Sequence, residues 1–86
     1  MKFEYDKNKS LINKDKHGID FEEAKKLWHA DNIILNAKYL DEPRQLIIGR
    51  INEKYYTCIF TFRNNKIRII SCRISRKEER RIYDEN

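Results

Sequence analysis

Residues Tyr55–Ile74 read "YYTCIFTFRNNKIRIISCRI", two stretches rich in β-branched and aromatic residues on either side of Asn64-Asn65. Such side chains fit a pleated, half-buried surface, and Asn tolerates positive φ, so the stretch predicts two strands closed by a two-residue hairpin. That loop fixes a register in which Phe62 faces Ile67, Thr61 faces Arg68, Phe60 faces Ile69, Ile59 faces Ile70, Cys58 faces Ser71 and Thr57 faces Cys72. One side then carries Tyr56, Cys58, Phe60, Phe62, Ile67 and Ile69, apolar enough to receive helices. The other carries Thr57, Ile59, Thr61, Arg68, Ile70 and Cys72. In this register the two cysteines point to opposite faces and cannot bridge.

Upstream of the hairpin, "NIILNAKYL" and "QLIIGRI" read as two further strands separated by the turn-forming "DEPR", with Gly49 marking a bulge or a close backbone approach. "KFEY" near the N-terminus alternates polar and apolar residues and suits a short strand near a sheet edge. Asp6 can cap a helix running to about Lys16, which Gly18 would end in the left-handed conformation. Its strong apolar residues are only Leu11 and Ile12, so it has a narrow buried stripe. "DFEEAKKLW" opens with a capping box, Asp20 and Glu23, and spaces Phe21, Ala24, Leu27 and Trp28 on one helical face. Trp28 reads as packing rather than as an exposed stacking platform.

After the hairpin, Ser75 and Glu78 form another capping box, which predicts a polar helix to about Asp84 anchored only by Ile82 and Tyr83. With 86 residues, the chain can bury a single thin core, so residues 1–86 are read as one domain. The fold class expected is α+β: a mostly antiparallel sheet of four to five strands, two N-terminal helices and a polar C-terminal helix.

The chain carries 19 basic and 14 acidic residues, a formal charge of +5. Between Arg63 and Arg81 there are eight basic side chains and two acidic ones, so the excess is concentrated there. A field of this kind favours a polyanion, most simply nucleic acid, with an acidic protein as the other candidate. No segment approaches the roughly 18 apolar residues of a membrane helix, and a cytoplasmic protein without membrane contact is expected. Two cysteines without C-x-x-C spacing read as small core thiols in a reducing compartment.

Arg68 on the less apolar sheet face, Arg73 at the strand end and the helix beyond Ser75 bring several guanidinium groups toward one surface. Their planar forks donate paired hydrogen bonds to phosphate oxygens and stay charged. Each also has a plain reading, as a solvated side chain or as half of a Glu78–Arg81 or Arg76–Glu79 pair. Composition alone therefore supports binding of an anion. Cutting RNA without a metal further requires deprotonating the 2′-hydroxyl, stabilising charge at phosphorus and protonating the leaving oxygen. The candidates are His17, His29, Tyr83, the lysines and carboxylates such as Glu79. No glycine-rich phosphate loop, zinc-ligand spacing or Ser-His-Asp arrangement is present, so no cofactor or metal is implied.

Four segments together resemble the BrnT family, the toxin half of a type II toxin–antitoxin pair: "FEYDKNKSLINKDKHGIDFEEA" (Phe3–Ala24), "RQLIIGRI" (Arg44–Ile51), "IRIISCRIS" (Ile67–Ser75) and "EERRIY" (Glu78–Tyr83). The resemblance implies a RelE-like fold, metal-independent endonucleolytic cleavage of RNA that arrests growth, and neutralisation by a cognate DNA-binding, BrnA-like antitoxin. Toxin and antitoxin would form a hetero-oligomer that represses its own operon, with operator DNA contacted only through the antitoxin. The motif positions carried over are Lys16, His17 and Gly18, then Arg68, Ser71 and Arg73, then Glu79, Arg80 and Tyr83. Cys72 and Ser75 stand where the family often has Ala.

The resulting assignment gives Arg68 and Arg73 to phosphate and transition-state stabilisation, Lys16 or His17 to proton transfer and Tyr83 to positioning or acid catalysis. Arg76, Lys77, Arg80 and Arg81 would grip the RNA backbone. Arg68→Ala and Arg73→Ala are both expected to relieve toxicity with little change in thermal unfolding. A non-catalytic nucleic-acid-binding module and a protein-interaction domain are the competing readings.

Overall fold

A computed structural model describes residues 1–37 and 43–86. Its elements in chain order are β1 (Phe3–Glu4), α1 (Lys7–His17), α2 (Phe21–Ala24) continued by a 3-10 turn (Lys25–His29), β2 (Asn32–Ala37), β3 (Arg44–Ile51), β4 (Lys54–Arg63), β5 (Lys66–Ile74) and α3 (Lys77–Asp84). The strands form one five-stranded sheet in the order β1-β5-β4-β3-β2. All neighbours are antiparallel except β1, which lies parallel to β5 at one edge through Phe3 and Glu4. The expected α+β class and mostly antiparallel sheet are present; the second N-terminal helix is a single α-helical turn before it tightens. The end of the strand expected through Leu40, and Asp41 and Glu42 of the expected turn at Asp41–Arg44, lie outside the described residues.

Asn64 and Asn65 take φ values of 53° and 63° and close the β4–β5 hairpin, with Arg63 opposite Lys66. The anticipated register holds through Phe62–Ile67, Thr61–Arg68 and Phe60–Ile69 and then breaks. Ile59 faces Ser71, Cys58 faces Cys72 and Thr57 faces Arg73, so Ile70 is an extra residue in β5. A bulge of this kind shifts every later side chain of the strand to the opposite face. Cys72 thereby joins Cys58 on the apolar face, with Cα atoms 4.0 Å apart, and the two are bonded in a cross-strand disulfide. The expectation of unbridged thiols on opposite faces is thus corrected, because strict alternation cannot foresee an inserted residue.

One sheet face holds the core. Ile47, Cys58, Phe60, Ile67, Ile69 and Cys72 pack there against Ile19, Phe21, Ala24 and Leu27 from the N-terminal helices. Trp28 is half-buried between Phe3 and Phe60, edge-on to both rings at centroid distances of 5.2 and 5.1 Å, a packing role as the spacing predicts. Gly49 is a close approach and not a bulge, since a Cβ there would lie 2.9 Å from Leu27 Cδ2 and 3.2 Å from the Asp31 carbonyl oxygen.

Helix α1 starts and stops as anticipated: the Asp6 side chain accepts from the Lys9 N–H, and Gly18 ends the helix at φ 76°. Its docking is different. Leu11 and Ile12 are 67% and 56% exposed, whereas the residues it buries are Ser10 and Asn13. Asn13 donates to the carbonyls of Ile19 and Cys72, both at 2.7 Å, and accepts from the Cys72 N–H at 3.2 Å. β1 covers β5 only at Ile67 and Arg68, so farther along the edge the Asn13 amide supplies the pairing that a strand would otherwise make. Ser10 accepts from the Phe21 N–H at 2.9 Å. Polar bonds to backbone, rather than an apolar stripe, fix this helix.

Candidate nucleic-acid interface

The second sheet face carries the candidate chemistry. The bulge at Ile70 brings Arg73 onto the face that already holds Arg68, so the two arginines stand on one side of β5 with Ile70 and Ser71 half-exposed between them. Helix α3 packs over the end of this face, where Ile48 and Thr57 are fully buried. The rest of the face stays partly open.

The helix is held there by Glu79. Its carboxylate accepts both arms of the Arg73 guanidinium, at 2.7 and 2.8 Å, the Arg76 N–H at 2.8 Å and the Thr57 hydroxyl at 3.0 Å. Thr57 spends its one hydroxyl proton on Glu79, so in the 2.8 Å contact between Thr57 and Ser75 the donor is Ser75. Burial alone would raise the Glu79 carboxyl. The bonds from Arg73, Arg76 and Thr57 outweigh it and pull the group down to about 2. Glu79 is therefore a fixed anion at neutral pH, unsuited to taking a proton from a 2′-hydroxyl.

The helix starts one residue later than the sequence suggests. The Ser75 N–H still bonds the Tyr55 carbonyl across the sheet, so Ser75 remains in strand geometry and Arg76 becomes the N-cap residue, with Glu79 in place of Glu78 as the closing acid. Glu78 is free to pair with Arg81, as the i,i+3 spacing anticipates, and Arg81 also binds Glu85 at 2.7 Å. Arg81 is thus occupied by carboxylates. Arg76, Lys77 and Arg80 are exposed, and among the described residues their side chains form no ion pair.

Arg68 is in a looser setting. Its nearest carboxylate oxygen, Oε1 of Glu4, is 3.8 Å away, beyond hydrogen-bond length, and that buried oxygen has no hydrogen-bond partner among the described residues. The Arg68 side chain keeps 29% of its surface open. A phosphate arriving here would meet a cation that is positioned but incompletely neutralised.

Tyr83 anchors α3. Its ring stands edge-on to Tyr55 at 5.8 Å, and its hydroxyl donates to the Asp31 carbonyl at 3.4 Å. Tyr55 in turn donates to Asp84 at 2.8 Å, which raises its hydroxyl, and the Arg50 guanidinium lies over its ring at 4.9 Å. An open cleft of about 710 Å³ runs along α3 between Tyr55, Lys77, Arg80 and Asp84.

Lys16 and His17 end helix α1, exposed and half-buried respectively, and neither side chain forms a hydrogen bond or ion pair among the described residues. The Asn13–Cys72 bonds tie that helix to the edge of β5 on the side of the core. His29 ends the 3-10 turn as an exposed residue. Ser10, Asn13 and Thr57 are buried polar residues that organise the site without any motif to mark them in the sequence; only their combination of polarity and burial distinguishes them, and burial is a property of the fold.

No curated protein matches the sequence. Residues 5–79, however, match the family model described as the ribonuclease toxin BrnT of type II toxin–antitoxin systems. That span includes α1, the strands β2 to β5 and α3 as far as Glu79; Glu4 precedes it, and Arg80, Arg81 and Tyr83 follow it. The chain belongs to the BrnT family of ribonuclease toxins.

Proposed function

We propose that this toxin is a metal-independent endoribonuclease of RelE-like type that cuts RNA on the face of β5 between Arg68 and Arg73. The observation that carries the reading is the bulge at Ile70, which turns Arg73, bound to Glu79 of the basic helix α3, onto the sheet face that holds Arg68. Arg68 serves as the principal phosphate and transition-state stabiliser, because its charge is only partly answered by Glu4. Arg73, clamped by Glu79, holds a fixed cation beside it. Lys16 or His17 moves the proton at the 2′-hydroxyl or at the leaving oxygen, and Tyr83 positions the substrate. Arg76, Lys77 and Arg80 hold the backbone of the RNA by charge, with Arg81 contributing less because two acids engage it.

On this reading a cognate BrnA-like antitoxin with a DNA-binding domain neutralises the toxin, and the pair represses its own operon in the cytoplasm. Purified protein incubated with RNA in EDTA should cut it, and expression should arrest growth unless the adjacent antitoxin gene is co-expressed. RNA left intact at protein concentrations that bind it would sink the nuclease assignment. One observation favours a second reading: two arms of Arg73 are already given to Glu79, as in a structural pair. A basic module that binds RNA without scission is the form that reading takes, and the same EDTA incubation separates the two.

A further inference from the structure

We propose that two copies of this chain associate through the outer edge of β2, joining their sheets antiparallel across a two-fold axis at Ile34. β2 is the terminal strand of the sheet, and its pairing with β3 runs without a bulge from Asn32 to Ala37. Among the described residues no strand pairs with its other edge, which therefore offers backbone N–H and C=O groups at every second residue. Natural edges are usually guarded by a lysine, a proline, a bulge or an inward charge. The segment "NIILNA" has none of these.

The choice of a second copy rests on the symmetry of the segment itself. An axis perpendicular to the sheet keeps equivalent faces together and pairs each residue with the one equally far on the other side of the centre. Centred on Ile34, this register sets Ile34 against Ile34 of the second copy, Ile33 against Leu35 and Asn32 against Asn36. Like meets like at each position, and no charge opposes another. Ile34 lies opposite Ile47 on the core face, yet it is 46% exposed because the N-terminal helices stop short of this strand. Ile33 and Leu35, on the other face, are half-buried. Pairing would cover all three apolar side chains and satisfy the edge at once.

Five residues from each copy, Asn32 to Asn36, make a small interface, so the expected association is weak, in the micromolar range of about 1–100 μM. Sedimentation of the full chain over that concentration range should show a reversible monomer–dimer equilibrium. Ile34→Lys places two like charges on the axis and should weaken the dimer at least tenfold, with an unchanged circular dichroism spectrum as the check on folding. Ile34→Cys is a milder variant that keeps the test open if the lysine is not tolerated. Under oxidation it should give a covalent dimer absent from the wild type, whereas Asn36→Cys should not, since its two copies lie on opposite sides of the axis. A monomer throughout the range, a dimer indifferent to Ile34→Lys, or equal cross-linking at positions 34 and 36 would each overturn the proposal. None of these readouts depends on ribonuclease activity.

Discussion

Thr57 and Arg73 face each other across the β4–β5 ladder and bond the same carboxylate, that of Glu79 in α3. This junction ties the last helix to the sheet, and it also decides which arginine can be removed cleanly. Replacing Arg73 by Ala leaves Glu79 a buried anion with one neutral and one backbone donor. Such an uncompensated group typically costs about 3–5 kcal/mol, so Arg73→Ala should lower the unfolding midpoint substantially, contrary to the sequence-based expectation of unchanged stability. Urea denaturation monitored at Trp28 measures it; an unchanged midpoint would show that the clamp contributes nothing.

Arg68→Ala should behave differently. The 3.8 Å contact with Glu4 contributes little, so stability should change by less than about 1 kcal/mol. RNA cleavage should fall roughly a hundredfold, the usual cost of losing one pre-organised charge donor. Single-turnover cleavage beside a melting curve separates the two effects, and full activity in a folded Arg68→Ala protein removes this residue from the mechanism.

Acid should loosen α3 from the sheet. The Glu79 carboxyl is held down at about 2 against an ordinary value of 4.5, so its contribution is complete above 4.5 and is lost as the pH falls toward 2. Stability of the wild type should therefore decline across that window. In Glu79→Gln, which is destabilised already at neutral pH, the decline should be shallower. Parallel curves for the two proteins would assign the acid sensitivity to other carboxylates.

Asn13→Leu retains bulk but strips the partners from the Cys72 N–H and the carbonyls of Cys72 and Ile19. Each orphaned group costs about 1–3 kcal/mol, and the Cys72 amide should lose hydrogen-exchange protection. Leu11→Ala, one turn of thought away in an apolarity-based reading, should be nearly neutral because that side chain is mostly exposed. The opposite ranking would restore the apolar stripe as the anchor.

Gly49→Ala should be destabilising by about 1–3 kcal/mol, since its Cβ would press on both Leu27 and the Asp31 backbone. Loss of protection in the 3-10 turn measured by hydrogen exchange would locate the strain.

The parts of the fold that were legible in the sequence are those fixed by neighbours along the chain. Asp6, Gly18, the Asp20–Glu23 box and Asn64-Asn65 each act within a few residues, and each acts where it was read. The first three rungs of the hairpin follow from its turn alone. A second pair at positive φ, Asn52 and Glu53 between β3 and β4, went unread because Glu gives no turn signal. In the candidate site, Arg68 was placed on its correct face, and Glu79 and Tyr83 were singled out from the inventory of groups able to move a proton and again from the family pattern.

What the sequence by itself determined is the set of local elements and the concentration of fixed positive charge between Arg63 and Arg81, because propensity, capping and ionisation are properties of short segments. Only the tertiary structure decided that Ile70 bulges, that Cys72 and Arg73 exchange faces as a result, and that α1 docks through Asn13 rather than through Leu11 and Ile12. These outcomes depend on which backbone groups lack partners once the strands are side by side. Satisfying a buried N–H or carboxylate at a distance of tens of residues is a constraint that no local pattern records.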